Sequence, residues 1–110
     1  MKLFKSIILT AFILTAFAIN ATASNRFALI IGNGAYQSAP LKNPVNDAED
    51  MANVLMESGF KVILKINASQ QEMETAMRSF GKTLRLGGIG LFYYAGHGLQ
   101  LNGTNYLIPV

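Results

Sequence analysis

The run Phe27-Ala28-Leu29-Ile30-Ile31 has no polar residue in it and is closed by Gly32. A strand with one wet face alternates apolar and polar residues, so an unbroken apolar run needs both of its faces covered. That demand restricts the chain to a sheet with helices on both sides, the α/β class. The segments that follow fit it. In 46–58, Ala48, Met51, Ala52, Leu55 and Met56 form one apolar stripe at helical spacing, with Glu49, Asp50, Asn53 and Glu57 opposite. Gly59 follows as a helix terminator.

Lys61 to Ile66 reads as a second strand. Val62, Leu64 and Ile66 share one face, and Lys61 and Lys65 mark an edge protected from further pairing. Ser69 and Glu72 have capping-box spacing. The helix they open carries Met73, Ala76, Met77, Phe80 and Leu84 on one stripe and ends before Gly87-Gly88. Ile89 to Tyr94 is a third strand, and Ala95 to Gly98 reads as a tight glycine turn. Asn102-Gly103, between Leu99-Gln100-Leu101 and Tyr106-Leu107-Ile108, signals a hairpin. The order β-α-β-α-β implies right-handed crossovers and a mostly parallel sheet. With the first strand between the other two, the crevice at its carboxyl end is the switch point where such sheets bind ligands. The loop 32–46 and the turn 95–98 both open there, which brings His97 toward Asp47.

Residues 1–23 read as a signal peptide rather than as part of the domain. Lys2 and Lys5 precede an apolar run from Ile7 to Ile19, and Ala21-Thr22-Ala23 supplies a cleavage site. The run falls short of the ~20 residues a membrane span needs. The expected product is exported, periplasmic or secreted, with a domain from 24 to 110. Of nine Lys and Arg against six Asp and Glu, Lys2 and Lys5 leave with the peptide, so little basic excess remains. The rest are scattered, without the basic stripe or stacking platform of a nucleic-acid binder. There is no cysteine, hence no disulfide framework.

The chemistry-bearing candidates are few. His97 is the only histidine, held between Gly96 and Gly98 at the end of an aromatic-rich strand, where a proton-transfer group can be both fixed and reached. One His and no Cys cannot assemble a zinc site, and no Gly-x-Ser-x-Gly elbow occurs. Gly32-Asn33-Gly34 lacks the third glycine of a dinucleotide loop and the Gly-Lys-Ser/Thr of a P-loop, so it reads as a turn. Asn67-Ala68-Ser69 matches a glycosylation sequon, but Ser69 already has a capping role. Tyr93 and Tyr94 read as packing residues, and Asp47 as a first-turn carboxylate or, if close to His97, a pocket anion.

Four blocks carry a resemblance: Arg26 to Asn33, Leu41 to Ala48, Tyr93 to Gly98, and Asn105 to Pro109. In that order and spacing the chain resembles the caspase-like cysteine peptidases (peptidase C14), and most closely their bacterial metacaspase and paracaspase-like branch. The resemblance covers the N-terminal part of that family's catalytic domain, with the three-layer caspase-like fold cut off after the third core strand and a hairpin. It implies that His97 is the catalytic histidine, that the Gly98 N–H is an oxyanion donor, and that Asp47 helps a pocket accept Arg or Lys. No cofactor is implied. The implied partner is a peptide or protein substrate.

Ala95 departs from the Ser many metacaspases carry, and the family's nucleophilic Cys would lie on the next strand, beyond Val110. The implied role is thus the histidine-bearing portion of an exported endopeptidase. The alternatives are a non-catalytic pseudo-peptidase that pairs with another chain through the edge at Ile89 to Tyr94 and, more weakly, an unrelated small-ligand α/β domain.

Overall fold

A computed structural model describes residues 8–9 and 25–110. Apart from Ile8–Leu9, the expected signal peptide lies outside the described residues. The elements are β1 (Ile8–Leu9), β2 (Arg26–Gly32), α1 (Pro44–Glu57), β3 (Lys61–Ile66), α2 (Gln70–Leu84), β4 (Ile89–Leu101) and β5 (Thr104–Leu107). Strand β2 lies between β3 and β4 and is parallel to both, with Ile30 level with Leu64 on one side and Tyr93 on the other. The backbone of β1 pairs antiparallel with β4 at Gly96 and His97. No helix among the described residues is long and apolar enough to cross a membrane.

The unbroken apolar run acts as its composition demands. Ala28 and Ile30 enter one core with Ala48, Ala52 and Leu55 of α1. Leu29 and Ile31 enter the other with Met73, Ala76 and Phe80 of α2. Each of the four is fully buried, and burying a Leu or Ile side chain contributes about 1.5–3 kcal/mol. The result is an α/β/α sandwich, the three-layer class the sequence indicates. Strand β3 takes one edge, with Lys61 and Lys65 exposed.

Helix α1 begins two residues before the expected Asn46. Pro44 takes the first turn, where its missing N–H has no intrahelical partner to lose. Its stripe is also narrower than the spacing suggests, since Met56 is half exposed. Met77 of α2 departs in the same way, at the rim of its stripe. Gly59 ends α1 with a positive φ of 88°. The Ser69–Glu72 capping box forms in full: the Ser69 hydroxyl accepts from the Glu72 N–H at 3.2 Å, and the Glu72 carboxylate accepts from the Ser69 N–H at 2.8 Å.

The largest difference concerns residues 95–98. They are not a turn: β4 runs on from Ile89 through to Leu101 and then folds back on β5. Glycine-rich sequence suggests a turn from local preference, but here pairing partners outweigh that preference. The reversal comes later, at Asn102 and Gly103, whose φ of 51° and 78° are the two left-handed residues of a two-residue hairpin.

Candidate active site at the carboxyl end of the central strands

The carboxyl ends of β2 and β4 lie side by side, and Asn33 locks them together. It is fully buried. Its N–H donates to the Ala95 carbonyl at 2.8 Å, and its Oδ1 accepts from the Ala68 N–H at 2.8 Å. Its Nδ2 donates to the Ile108 carbonyl at 3.4 Å. Main chain and carboxamide together, this one residue thus ties β2, β4, the entry to α2 and the segment after β5. The Gly34 and Ala35 N–H groups both donate to Asn67 Oδ1, at 2.9 and 3.0 Å. Those amides are spent on protein, which fits the reading of this loop as a turn rather than a phosphate cradle.

His97 sits on β4 just past this lock and is partly buried. Its Nε2 is 2.7 Å from the Ala39 carbonyl oxygen. A carbonyl only accepts, so Nε2 carries the proton and Nδ1 is the ring atom left to exchange one. The Tyr36 ring packs against the imidazole, with centroids 4.4 Å apart and planes tilted by 53°. A cavity of about 370 Å³ opens beside them, lined by Tyr36, Ser38, Ala39, His97 and Ile108.

The main chain of His97 is held as closely as its ring. The Ile108 N–H donates to the His97 carbonyl at 3.1 Å, and the Tyr94 hydroxyl donates to the same oxygen at 2.6 Å. The His97 N–H donates to the Tyr36 hydroxyl at 3.0 Å, which in turn donates to the Ile108 carbonyl at 2.7 Å. Antiparallel pairs alternate between bonded and non-bonded. With His97 and Ile108 bonded, the next pair, Gly98 and Leu107, is of the other kind, and the buried Gly98 directs its N–H away from β5. Gly96 is required by the tyrosines. A Cβ there would lie 2.6 Å from the Tyr94 hydroxyl and 2.8 Å from that of Tyr36.

Burial raises the Tyr94 phenol well above the ordinary tyrosine range, and the neighbouring Tyr36 hydroxyl adds to the effect. Tyr93, on the opposite face, is raised by burial first and by the Asp47 carboxylate second. Asp47 is exposed in the first turn of α1. It is not among the residues that line the cavity beside His97, which are Tyr36, Ser38, Ala39, His97 and Ile108. Among the described residues no group of three His, Cys, Asp or Glu side chains gathers to hold a metal.

Sequence reasoning singled out His97, Gly98 and Asp47. It missed Tyr36 and the Ala39 carbonyl, which belong to an irregular loop with no periodicity, and it read Tyr94 as packing alone. A tyrosine three residues before the histidine on the same strand was the available signal.

The parallel α/β/α core, with a histidine fixed at the carboxyl end of the strand beside the central one, is the arrangement of a caspase-like fold. Comparison with known families agrees: residues 25–110 match the caspase domain, and the chain belongs to that family. It is 38% identical over 89 residues to human mucosa-associated lymphoid tissue lymphoma translocation protein 1, covering 80% of this chain. The mouse homolog matches at 38% over 89 residues as well. The chain spans 11% of the length of these relatives.

Proposed function

We propose that this chain is the histidine-bearing part of an exported caspase-type cysteine endopeptidase that cleaves after Arg or Lys. The observation that carries the reading is the His97 ring itself, pinned through Nε2 to the Ala39 carbonyl beside an open cavity. Nδ1 is then positioned to take the proton of a cysteine thiol. The thiolate attacks the substrate carbonyl carbon, the oxyanion accepts from the Gly98 N–H, and the imidazolium returns its proton to the departing amine. Water then hydrolyses the thioester. The Ala39 carbonyl steadies the imidazolium by accepting from Nε2–H throughout. The 110 residues include no cysteine, so this reading requires a thiol that they do not themselves supply. Asp47 supplies the negative charge for a basic side chain, and residues 1–23 direct export to the periplasm or outside.

The test is to extend the reading frame past the codon for Val110 and assay the product on peptides with Arg, Lys or Asp before the scissile bond. His97→Ala is expected to lower cleavage by about 10²–10⁴-fold, and Asp47→Ala to erase the preference for basic residues. Unchanged cleavage in the His97 variant ends the reading. A second reading is favoured by one feature. Among the described residues, no strand lies along the edge of Ile89 to Tyr94 opposite β2. If the frame stops at Val110, that edge supports a non-catalytic module that recruits a strand from another chain.

A further inference from the structure

The hydrogen-bond ladder between β4 and β5 should close at His97 and Ile108 with two reciprocal bonds. It closes with one. The Ile108 N–H reaches the His97 carbonyl directly, at 3.1 Å. The return bond is interrupted by a side chain from a third segment: the His97 N–H donates to the Tyr36 hydroxyl at 3.0 Å, and that hydroxyl donates to the Ile108 carbonyl at 2.7 Å. We propose that Tyr36 is the positioning residue of this site, its hydroxyl inserted in the ladder to hold the strands apart at His97 and its ring backing the imidazole, so that Nε2 stays on Ala39.

The proton count supports the assignment. A hydroxyl has one proton to give. That of Tyr36 goes to Ile108 at 2.7 Å and that of Tyr94 to His97 at 2.6 Å. The 3.1 Å approach of the two hydroxyl oxygens to each other is then a contact enforced by both, with no proton of its own. The two tyrosines are not equivalent. Without the Tyr94 hydroxyl, the His97 carbonyl still accepts from Ile108. Without the Tyr36 hydroxyl, the Ile108 carbonyl keeps the Tyr94 hydroxyl at 3.2 Å and Asn33 Nδ2 at 3.4 Å, whereas the His97 N–H faces a gap with no acceptor. Drawing the strands together to close it pulls the imidazole away from the loop that carries Ala39.

This inference rests on the reading of His97 as the proton-transfer group, but its test does not need activity. The chain has a single histidine, so the imidazole nitrogens of ¹⁵N-labelled protein give one unambiguous pair of signals. In the native chain they should show the Nε2–H tautomer. In Tyr36→Phe the two shifts should move toward each other, as in a tautomer mixture, and the His97 amide should exchange about tenfold faster or more. Tyr94→Phe should disturb both less, although Tyr94 is the more buried residue and its loss should cost more overall stability. Tyr106→Phe, an exposed hydroxyl elsewhere on β5, should change neither.

Unchanged His97 signals in Tyr36→Phe overturn the proposal, as does an effect of Tyr94→Phe equal to or larger than that of Tyr36→Phe. Should Tyr36→Phe fail to fold, the native protein decides the matter. A slowly exchanging Tyr36 hydroxyl proton close to the His97 amide proton is expected, and its absence overturns the assignment. Failure of the peptidase reading would show separately, as unchanged cleavage by a His97→Ala variant of the extended product.

Discussion

At Gly96 a single methyl group has nowhere to go. The Cβ of an alanine would meet both tyrosine hydroxyls inside 3.0 Å, and neither can retreat without dropping a bond to the His97 or Ile108 main chain. Gly96→Ala should therefore cost about 1–3 kcal/mol, the usual range for overpacking, read as a lower urea midpoint. Tyr94 makes the region sensitive to alkali. Its phenol is raised in the folded state, so the folded protein keeps a proton that the unfolded chain gives up near pH 10. Stability should fall as pH rises past 10. Tyr94→Phe should be less stable at neutral pH yet flatter in its alkaline decline. A variant that declines as steeply as the native chain would mean another group titrates. The histidine was legible in sequence because it is unique and flanked by glycines. The Tyr36 hydroxyl that holds it was not, because its partners are backbone groups 61 and 72 residues away.

Elements declare themselves to the degree that their signals are local. The apolar run of β2, the capping box of α2 and the Asn102-Gly103 hairpin each specify geometry within a few residues, and each forms as expected. Strand β4 does not work this way. Its second half owes its extension to pairing with β5, a partner that local glycine preference cannot register. The rims of both helices were misjudged for a related reason: spacing finds a stripe but not its width, so Met56 and Met77 look internal and are not. Helix α2 offers two tests. Its Glu72 carboxyl is held below its ordinary value by bonds from Ser69. Such a group contributes stability above the unfolded pKa near 4.5, and that contribution is lost as pH falls through the lower folded value. Ser69→Ala should cost about 1 kcal/mol at neutral pH, and the difference from the native chain should shrink in acid. Gly81 is the opposite case. A Cβ there meets nothing within 4 Å, so Gly81→Ala should stabilise the protein by about 0.5–1 kcal/mol, seen as a higher Tm.

For the molecule as a whole, what matters is which sheet edges are finished. The β3 edge is guarded by Lys61 and Lys65, both exposed, and lysines on an edge discourage further pairing. The β4 edge differs along its length. Gly96 and His97 pair with β1, and residues 98–101 pair with β5. Ile89 to Tyr94 carry Leu91 and Phe92, both only partly buried, and no charged residue. Among the described residues nothing pairs with that stretch on the side away from β2. An apolar, uncharged and extended edge is a template for another strand. The stretch borders the cavity end of the sheet, so a strand added there would also run toward His97. The 110-residue chain should consequently associate, with a mass by light scattering that rises with concentration. The amides of Ile89 to Tyr94 should gain exchange protection as it does. A chain that stays monomeric from micromolar to millimolar concentration, with one sharp melt, would show that the edge is satisfied without a partner. The case for strand recruitment would then be lost, while the histidine site, built from the other end of the same strand, would stand.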